Sequence, residues 1–303
     1  MYPAYRSLAR VRRLVLRARA AAGIMPVQTV RSNGWALGDF ARDALPGVAS
    51  AVALVGTPGP TQKVTVQLWD AKGNVIGYLK YAESEIGRKG LRQESRMLAS
   101  IPGGYGPEPL KHGDLGNGEA LLVSCIPGKL LPAKRTPSED MIRFLTSLPT
   151  SLPSALEDHP WVRSTLGKSG GELDDCLGAL GGKDWPVVVQ HGDFVPWNLL
   201  RRPDGSLGAI DWEFGTLRGF PHLDLAYYTL QVAALIYRWT PSKAAEYTIR
   251  YLTSHARFDL ESAEARALTR FAAYGVYQRF REEGKPSHQI PRTWWRAVWE
   301  ERS

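Results

Sequence analysis

Between His191 and Gly215 the chain reads HGDFVPWNLLRRPDGSLGAIDWEFG, and the Pro203-Asp204-Gly205 at its centre leaves the backbone few choices. Proline presets φ, aspartate bonds back to its own backbone, and glycine accepts a positive φ. Short apolar runs flank this turn, Leu199-Leu200 before it and Leu207, Ala209 and Ile210 after it, which predicts two antiparallel strands. With the loop centred between Asp204 and Gly205, facing positions sum to about 409 in an antiparallel ladder. That register sets Asn198 opposite Asp211 at the open end of the hairpin. An amide oxygen and a carboxylate are hard ligands, the kind Mg²⁺ takes when it also holds phosphate oxygens. Asp193 lies five residues before Asn198, and Pro196 disfavours helix at Val195, so HGDFVPWN reads as a loop. A third acid therefore stands beside the metal position, where it can take a proton.

In order and first spacing, Asp193, Asn198 and Asp211 resemble the protein-kinase arrangement of a catalytic-loop Asp, an Asn four residues beyond its neighbour, and a second metal-binding Asp. The wording, HGD in place of HRD and IDWE in place of DFG, resembles the aminoglycoside phosphotransferase and choline kinase group of the protein-kinase-like superfamily. On this stretch alone, a hairpin with polar ends and no catalysis is the alternative. The resemblance implies an α+β, bilobal fold with a small β-rich N-lobe and a larger, mainly helical C-lobe. It further implies ATP and Mg²⁺ as cofactors, Asp193 as catalytic base, and Asn198 and Asp211 as metal ligands.

The upstream chain follows the same order. ALVGTPGPTQKVTVQLWDAKGNVIGYLKYAE reads as a strand, a Gly/Pro loop from Gly56 to Pro60, a strand from Lys63 to Trp69, a turn at Lys72-Gly73-Asn74, and a strand from Val75 to Tyr81. Backbone N–H groups of the loop are suited to phosphates, although Pro58 and Pro60 reduce their number. Lys80, in the third strand, would by itself be a solvated lysine; the resemblance makes it the phosphate-binding lysine. In GLRQESRMLASI, Leu91, Glu94, Leu98 and Ile101 share one helix face. A carboxylate among apolar positions is costly unless paired. It is either a rim carboxylate or, by resemblance, the partner that clamps Lys80 in the nucleotide site. EALLVSCIPGKLL is an apolar strand ending at Pro127-Gly128, which matches the interlobe hinge; the resemblance gives adenine to the Ser124 carbonyl and the Ile126 N–H. Asp224 opens the apolar helix LDLAYYTLQVAALIY and, by resemblance, braces the catalytic loop. The interval from Asp211 to Asp224 is too short for an activation segment with an APE element, which disfavours a protein substrate. The domains expected are a basic, partly helical extension (1–44), an N-lobe ending at the hinge (45–126), and a C-lobe (127–303).

The net charge of +8 invites a nucleic-acid partner, but its distribution argues against one. Residues 1–38 contain seven arginines and no acid, leaving 31 cations against 30 anions in the remainder. No zinc finger, aromatic RNA-binding motif or basic stripe is found there. LGKSG from Leu166 fails as a phosphate loop because Val162 stands where that motif requires glycine. Two distant cysteines, Cys125 and Cys176, suggest neither a disulfide framework nor zinc. With no signal-peptide pattern at the start and no uncharged apolar run approaching about 18 residues, a cytoplasmic protein is expected.

The expected activity is phosphate transfer from ATP to a hydroxyl of a small molecule. Tyrosines and tryptophans are abundant in the C-terminal third and suit a sugar or glycan, although most aromatic residues in a helical lobe are core. Acidic residues in the same region keep aminoglycosides and choline-like amino alcohols as alternatives. An inactive nucleotide-binding pseudokinase and a membrane-surface adaptor are the rivals from other classes, the first opposed by the presence of lysine, base and metal ligands.

At about 100° per residue, Arg6, Arg10, Arg13 and Arg17 form one stripe, with Leu8, Val11, Val15, Ala18 and Ala22 nearly opposite. Such a helix either packs its apolar face on the body or lies on an anionic membrane, giving a membrane-peripheral location. At about 1 kcal/mol per arginine, four contribute roughly 4 kcal/mol, about a thousandfold in partitioning. On the membrane reading, the chain sediments with anionic but not zwitterionic liposomes at low salt, and removing residues 1–24 abolishes this; absence of sedimentation returns the segment to the body.

Overall fold

The structure is a computed structural model that describes residues 36–56, 59–169, 171–283, 290 and 292–301. The basic segment 1–24 lies outside the described residues, as does Pro58 in the Gly/Pro loop.

The first half is organised by strand alternation. Helix α1 (Ala36–Ala44) precedes strands β1 (Ser50–Val55), β2 (Val64–Trp69) and β3 (Val75–Ala82). Helix α2 (Glu85–Ser100) follows, then β4 (Pro109–Leu115) and β5 (Gly118–Ser124). The five strands form one sheet in the order β1-β2-β3-β5-β4, every neighbouring pair antiparallel. Successive side chains of a strand point to opposite faces. On one face Val66, Leu68, Leu79, Ala120 and Leu122 are buried against Phe40 and Ala41 of α1, so the latter part of the 1–44 stretch packs on the sheet. On the other, Ala82, Leu121 and Val123 pack with Leu91, Met97 and Leu98 of α2. Lys80 is paired with Leu121 and so shares the α2 face, whereas Leu79 beside it belongs to the α1 face.

Helix α2 starts at Ser84, whose Oγ accepts from the Gly87 N–H at 3.1 Å, an N-cap that satisfies an otherwise orphaned donor. Its buried positions, Gly87, Leu91, Glu94, Met97 and Leu98, recur at three- and four-residue spacing. Glu94 is on the buried face, as the sequence pattern requires.

Beyond Ser124 the chain is mainly helical, with two small three-stranded sheets. It runs through β6 (Lys129–Leu130), α3 (Glu139–Thr146), β7 (Thr150–Ser154), α4 (Pro160–Ser169), α5 (Asp174–Leu180) and β8 (Trp185–Gln190). The hairpin β9 (Leu199–Arg201) and β10 (Leu207–Ala209) comes next, then β11 (Thr216–Gly219) and helices α6 (Leu223–Val232), α7 (Pro241–Ser254), α8 (Ser262–Glu283) and α9 (Arg292–Trp299). Helix α6 is buried nearly all round, as a helix apolar on every side must be. The aromatic residues of this region are mostly core: Tyr274, Trp295 and Trp299 are each under a tenth exposed. Among the described residues no helix is long and apolar enough to cross a membrane.

The hairpin forms, but its register differs from the expected one. Leu207 pairs with Arg201, Gly208 with Leu200 and Ala209 with Leu199, a sum of 408. Asn198 therefore faces Ile210, whose N–H donates to the Asn198 carbonyl at 2.9 Å. The cause lies in the turn: Gly205, at φ +85°, donates to the Arg202 carbonyl, and Arg202 N–H bonds Ser206 O, closing a three-residue loop centred on Asp204 where one centred between Asp204 and Gly205 was expected. Asp211 follows Ile210 in a left-handed conformation, φ 70° and ψ 56°, which takes it out of the ladder. Aspartate tolerates this region better than most residues.

Directly after Asp211, Trp212 is fully buried, donates Nε1–H to the Ala209 carbonyl at 3.0 Å, and packs in the cluster containing Met97 and Leu98. This ring joins the hairpin to α2. Trp212→Ala is expected to cost about 3–5 kcal/mol, read as a lower denaturant midpoint.

Candidate active site

Two groups of side chains converge where α2, the sheet and the β9–β10 hairpin meet. In the first, the Lys80 ammonium donates to both oxygens of Glu94 at 2.7 Å and to Asp211 Oδ1 at 2.9 Å. Glu94 is 1% exposed and Lys80 14%, while Asp211, at 35%, opens toward solvent. Burial works against the charge on Lys80, but Asp211 and Glu94 outweigh it and raise the ammonium's pKa above its ordinary value. For Asp211 the order is the same: burial disfavours the charge, yet Lys80 and Lys63 hold the carboxyl well below the usual range. Lys63 is itself paired with Glu213.

The second group is the loop His191–Asn198. The Asp224 carboxylate accepts from the backbone N–H of His191 at 2.7 Å and of Gly192 at 2.9 Å. His191 is fully buried, and burial lowers its pKa to about 4, so the ring is neutral at pH 7. Its Nδ1 accepts from Asp193 N–H at 3.2 Å, which leaves Nε2–H to donate to the Ile210 carbonyl at 3.0 Å. Gly192 has φ +78°, and a Cβ there would collide with the Phe214 carbonyl oxygen, which is why glycine stands in HGD. The Asp193 carboxylate takes Tyr227 Oη–H on Oδ1 at 2.5 Å and Asn198 Nδ2–H on Oδ2 at 2.9 Å. Burial, opposed by the Tyr227 bond, moves its pKa up to about 6.

The structure thus brings Lys80, Glu94 and Asp211 into direct contact, and Asp193 and Asn198 into a second contact beside them. Asn198 also donates to the Asp193 carbonyl at 3.0 Å, so its amide nitrogen is committed and Oδ1 is the atom left to act as a ligand. An anionic, partly exposed Asp211 and an oriented Asn198 oxygen suit a hard cation shared with phosphates. Among the described residues no cluster of three or more His, Cys, Asp or Glu could hold a metal by itself, and a phosphate-shared Mg²⁺ does not need one. Ser124 and Ile126 stand at the far end of β5. Ser124 N–H bonds the Glu108 carbonyl at 2.9 Å, and the Ile126 N–H, just past the ladder, meets no acceptor among the described residues.

Beside these groups opens a cavity of about 800 Å³, within the usual range for a small-molecule site. It runs from Gly56 and Lys63 across α2 to the Phe271–Glu282 stretch of α8, and Gly192, Glu213 and Tyr227 form the wall nearest Asp193 and Asp211. Sequence reasoning did not predict the contacts of four contributors, Tyr227, Lys63, Glu213 and Arg279. Tyr227 is one helical turn from Asp224, a spacing that puts both on the loop-facing side of α6. Lys63 with Glu213, and Arg279 with Gly192, join residues 150 and 87 positions apart, for which no local signal exists.

Residues 94–266 match the family model described as the phosphotransferase enzyme family, APH. The chain belongs to this family. In its fold, a β-sheet N-terminal part is followed by a mainly helical C-terminal part. Solved structures of similar outline include a Ralstonia eutropha JMP134 protein assigned as an aminoglycoside phosphotransferase, 14% identical over 88% of this chain and 96% of that one, with a TM-score of 0.49. A thermostable mutant of aminoglycoside phosphotransferase APH(4)-Ia is 13% identical over 86% and 97% of the two chains, TM-score 0.45. A Haemophilus somnus 129PT protein assigned as a fructosamine-3-kinase is 13% identical over 86% and 94%, TM-score 0.48. No curated protein matches the sequence.

The brace formed by Asp224 yields a direct expectation. Asp224→Asn keeps the shape but replaces one acceptor by an NH₂ group facing a buried backbone N–H, which should cost about 1–3 kcal/mol. Phosphotransfer should fall more steeply, by roughly 10²-fold, because the loop that carries Asp193 is displaced. Denaturant melts and steady-state kinetics measure the two effects.

Proposed function

We propose that this family member transfers the γ-phosphoryl group of ATP, with Mg²⁺, to a hydroxyl of a small molecule, a sugar or glycan before an aminoglycoside or amino alcohol. The observation that carries the proposal is the closeness of two built assemblies, Lys80–Glu94–Asp211 and Tyr227–Asp193–Asn198: Ile210, next to Asp211, donates its N–H to the Asn198 carbonyl at 2.9 Å, and the Asp211 charge acts on Asp193. An amide-oriented carboxylate beside a charged lysine and a second carboxylate has no evident purpose in a purely structural hairpin.

In this reading Lys80, held charged and aimed by Glu94, would bind phosphate oxygens, and the Ser124 carbonyl and Ile126 N–H would bind adenine. Asp211 and Asn198 Oδ1 would hold Mg²⁺. When bound, the metal and nucleotide supply a transferable phosphoryl group with its negative charge partly neutralised. Asp193 accepts the proton of the acceptor hydroxyl, while Tyr227 and Asn198 fix the direction of its lone pairs. Its raised pKa of about 6 leaves it ionised at pH 7 and a stronger base than an ordinary carboxylate. A cytoplasmic enzyme whose segment 1–24 rests on an anionic membrane is compatible with a lipid-linked glycan acceptor.

The test is transfer from γ-labelled ATP, with and without Mg²⁺, to a panel of sugars, amino alcohols and aminoglycosides. Asp193→Asn should lower kcat by about 10²- to 10⁴-fold and leave nucleotide affinity nearly unchanged; a loss within threefold would remove Asp193 as the base. Asp211→Asn should weaken Mg²⁺-ATP binding as well as turnover, and Asn198→Ala should act in the same direction more mildly. Nucleotide titrations at varied Mg²⁺ decide the metal assignment, and unchanged affinity in both variants refutes it.

A further inference from the structure

The cavity next to Asp193 is lined by more positive than negative charge. Lys63, Lys89, Arg96 and Arg279 line it, against Glu213 and Glu282. Lys63 and Glu213 cancel as an ion pair. Lys89 and Arg96 are seven residues apart on α2, two turns along one face, and both are exposed at the mouth. Neither they nor Arg279 forms an ion pair among the described residues.

Arg279 is the best placed of the four. Its Nη2 donates to the Gly192 carbonyl at 3.0 Å, fixing the guanidinium beside the residue that precedes Asp193. The plane lies over Phe214, with Cζ 3.8 Å from the ring centroid. An arginine stacked in this way is pre-organised, and its remaining N–H donors suit a planar carboxylate or a phosphate.

We infer that Arg279 is a specificity-determining residue that anchors an anionic group of the acceptor, so that the substrate is a hydroxylated small molecule bearing a phosphate or carboxylate, as in a sugar phosphate or a sugar acid. This rests on the phosphotransfer proposed above, takes the cavity beside Asp193 as its acceptor pocket, and narrows its substrate class. The anion sits on Arg279, and Lys89 and Arg96 add a positive field at the entrance. A polycationic aminoglycoside meets repulsion at the same lining.

The experiment measures binding without turnover, on the full chain with Mg²⁺ and a non-hydrolysable ATP analogue. The probes are four matched compounds: glucose, glucosamine, glucuronate and glucose 6-phosphate. The inference expects at least one anionic probe to bind about tenfold or more tighter than glucose, and glucosamine to bind no better than glucose. The glucuronate and glucose 6-phosphate arms separate carboxylate from phosphate as the preferred group. Arg279→Ala should weaken anion binding by about 10- to 100-fold, the range of a lost charge-assisted hydrogen bond, and leave glucose binding within about threefold. Arg279→Lys should retain part of the preference. If Arg279→Ala does not fold, Arg96→Ala, on an exposed position of the opposite wall, should still lower the anion preference by about twofold to fivefold. Equal binding of glucose or glucosamine and the anions, no anion binding below 10 mM, or equal weakening for neutral and anionic probes overturns the inference. Anion binding without phosphate transfer to any acceptor would instead overturn the phosphotransferase reading and leave the anion site standing.

Discussion

One ammonium group ties the two parts of this protein together. Lys80 comes from the third strand of the N-terminal sheet, Glu94 from α2, and Asp211 from the end of the C-terminal hairpin, and Lys80 contacts both carboxylates at once. A buried cation is tolerated only when its charge is matched. Here the match is divided between a carboxylate that is fully enclosed and one that still reaches solvent. Glu94 satisfies the lysine whatever else happens, while Asp211 is the partner able to turn to another cation. The packing follows from the same point: strand alternation sends Lys80 to the α2 face, and Trp212, next to Asp211, fills the core beneath that helix.

A second constraint is the stiffness of the loop around Asp193. Four independent partners fix it: Asp224 through two backbone N–H groups, the neutral His191 ring between Asp193 N–H and Ile210, Asn198 from the end of the loop, and Tyr227 from α6. Burial makes the loop electrostatically tense, since two carboxyls, Asp193 and Asp224, both have pKa values moved up to about 6. Hydrogen bonds from neutral donors to each offset part of that cost. A carboxylate fixed in direction and raised in pKa has the two properties that the proposed general-base role needs, and both come from the same enclosure.

The functional parts were legible to different degrees. Strands β2 and β3, the α2 face with Glu94, the loop around Asp193 and the hairpin at Pro203-Asp204-Gly205 each have a local cause, in side-chain alternation, helical spacing or turn chemistry. The pairing of Lys80 with Glu94 was reached through resemblance. The hairpin register was misread by one position because a loop centred on Asp204 and one centred between Asp204 and Gly205 share the same Pro-Asp-Gly signal, and only the hydrogen bonds of Arg202, Gly205 and Ser206 distinguish them. The left-handed Asp211 that follows has no sequence marker at all.

By itself the sequence determined which residues alternate, cap, turn and carry charge, because those properties depend on neighbours a few positions away. It thereby set the order of elements and the identity of the acids, amide and lysine. Tertiary structure decided what those residues face. The contact of Tyr227 with Asp193, the seating of Arg279 on Gly192 and Phe214, the pairing of Lys63 with Glu213, and the charge of the cavity wall all arise from segments 34 to 150 residues apart. Chain folding, and no local rule, brings such segments together, and the cavity beside Asp193 is lined largely by them.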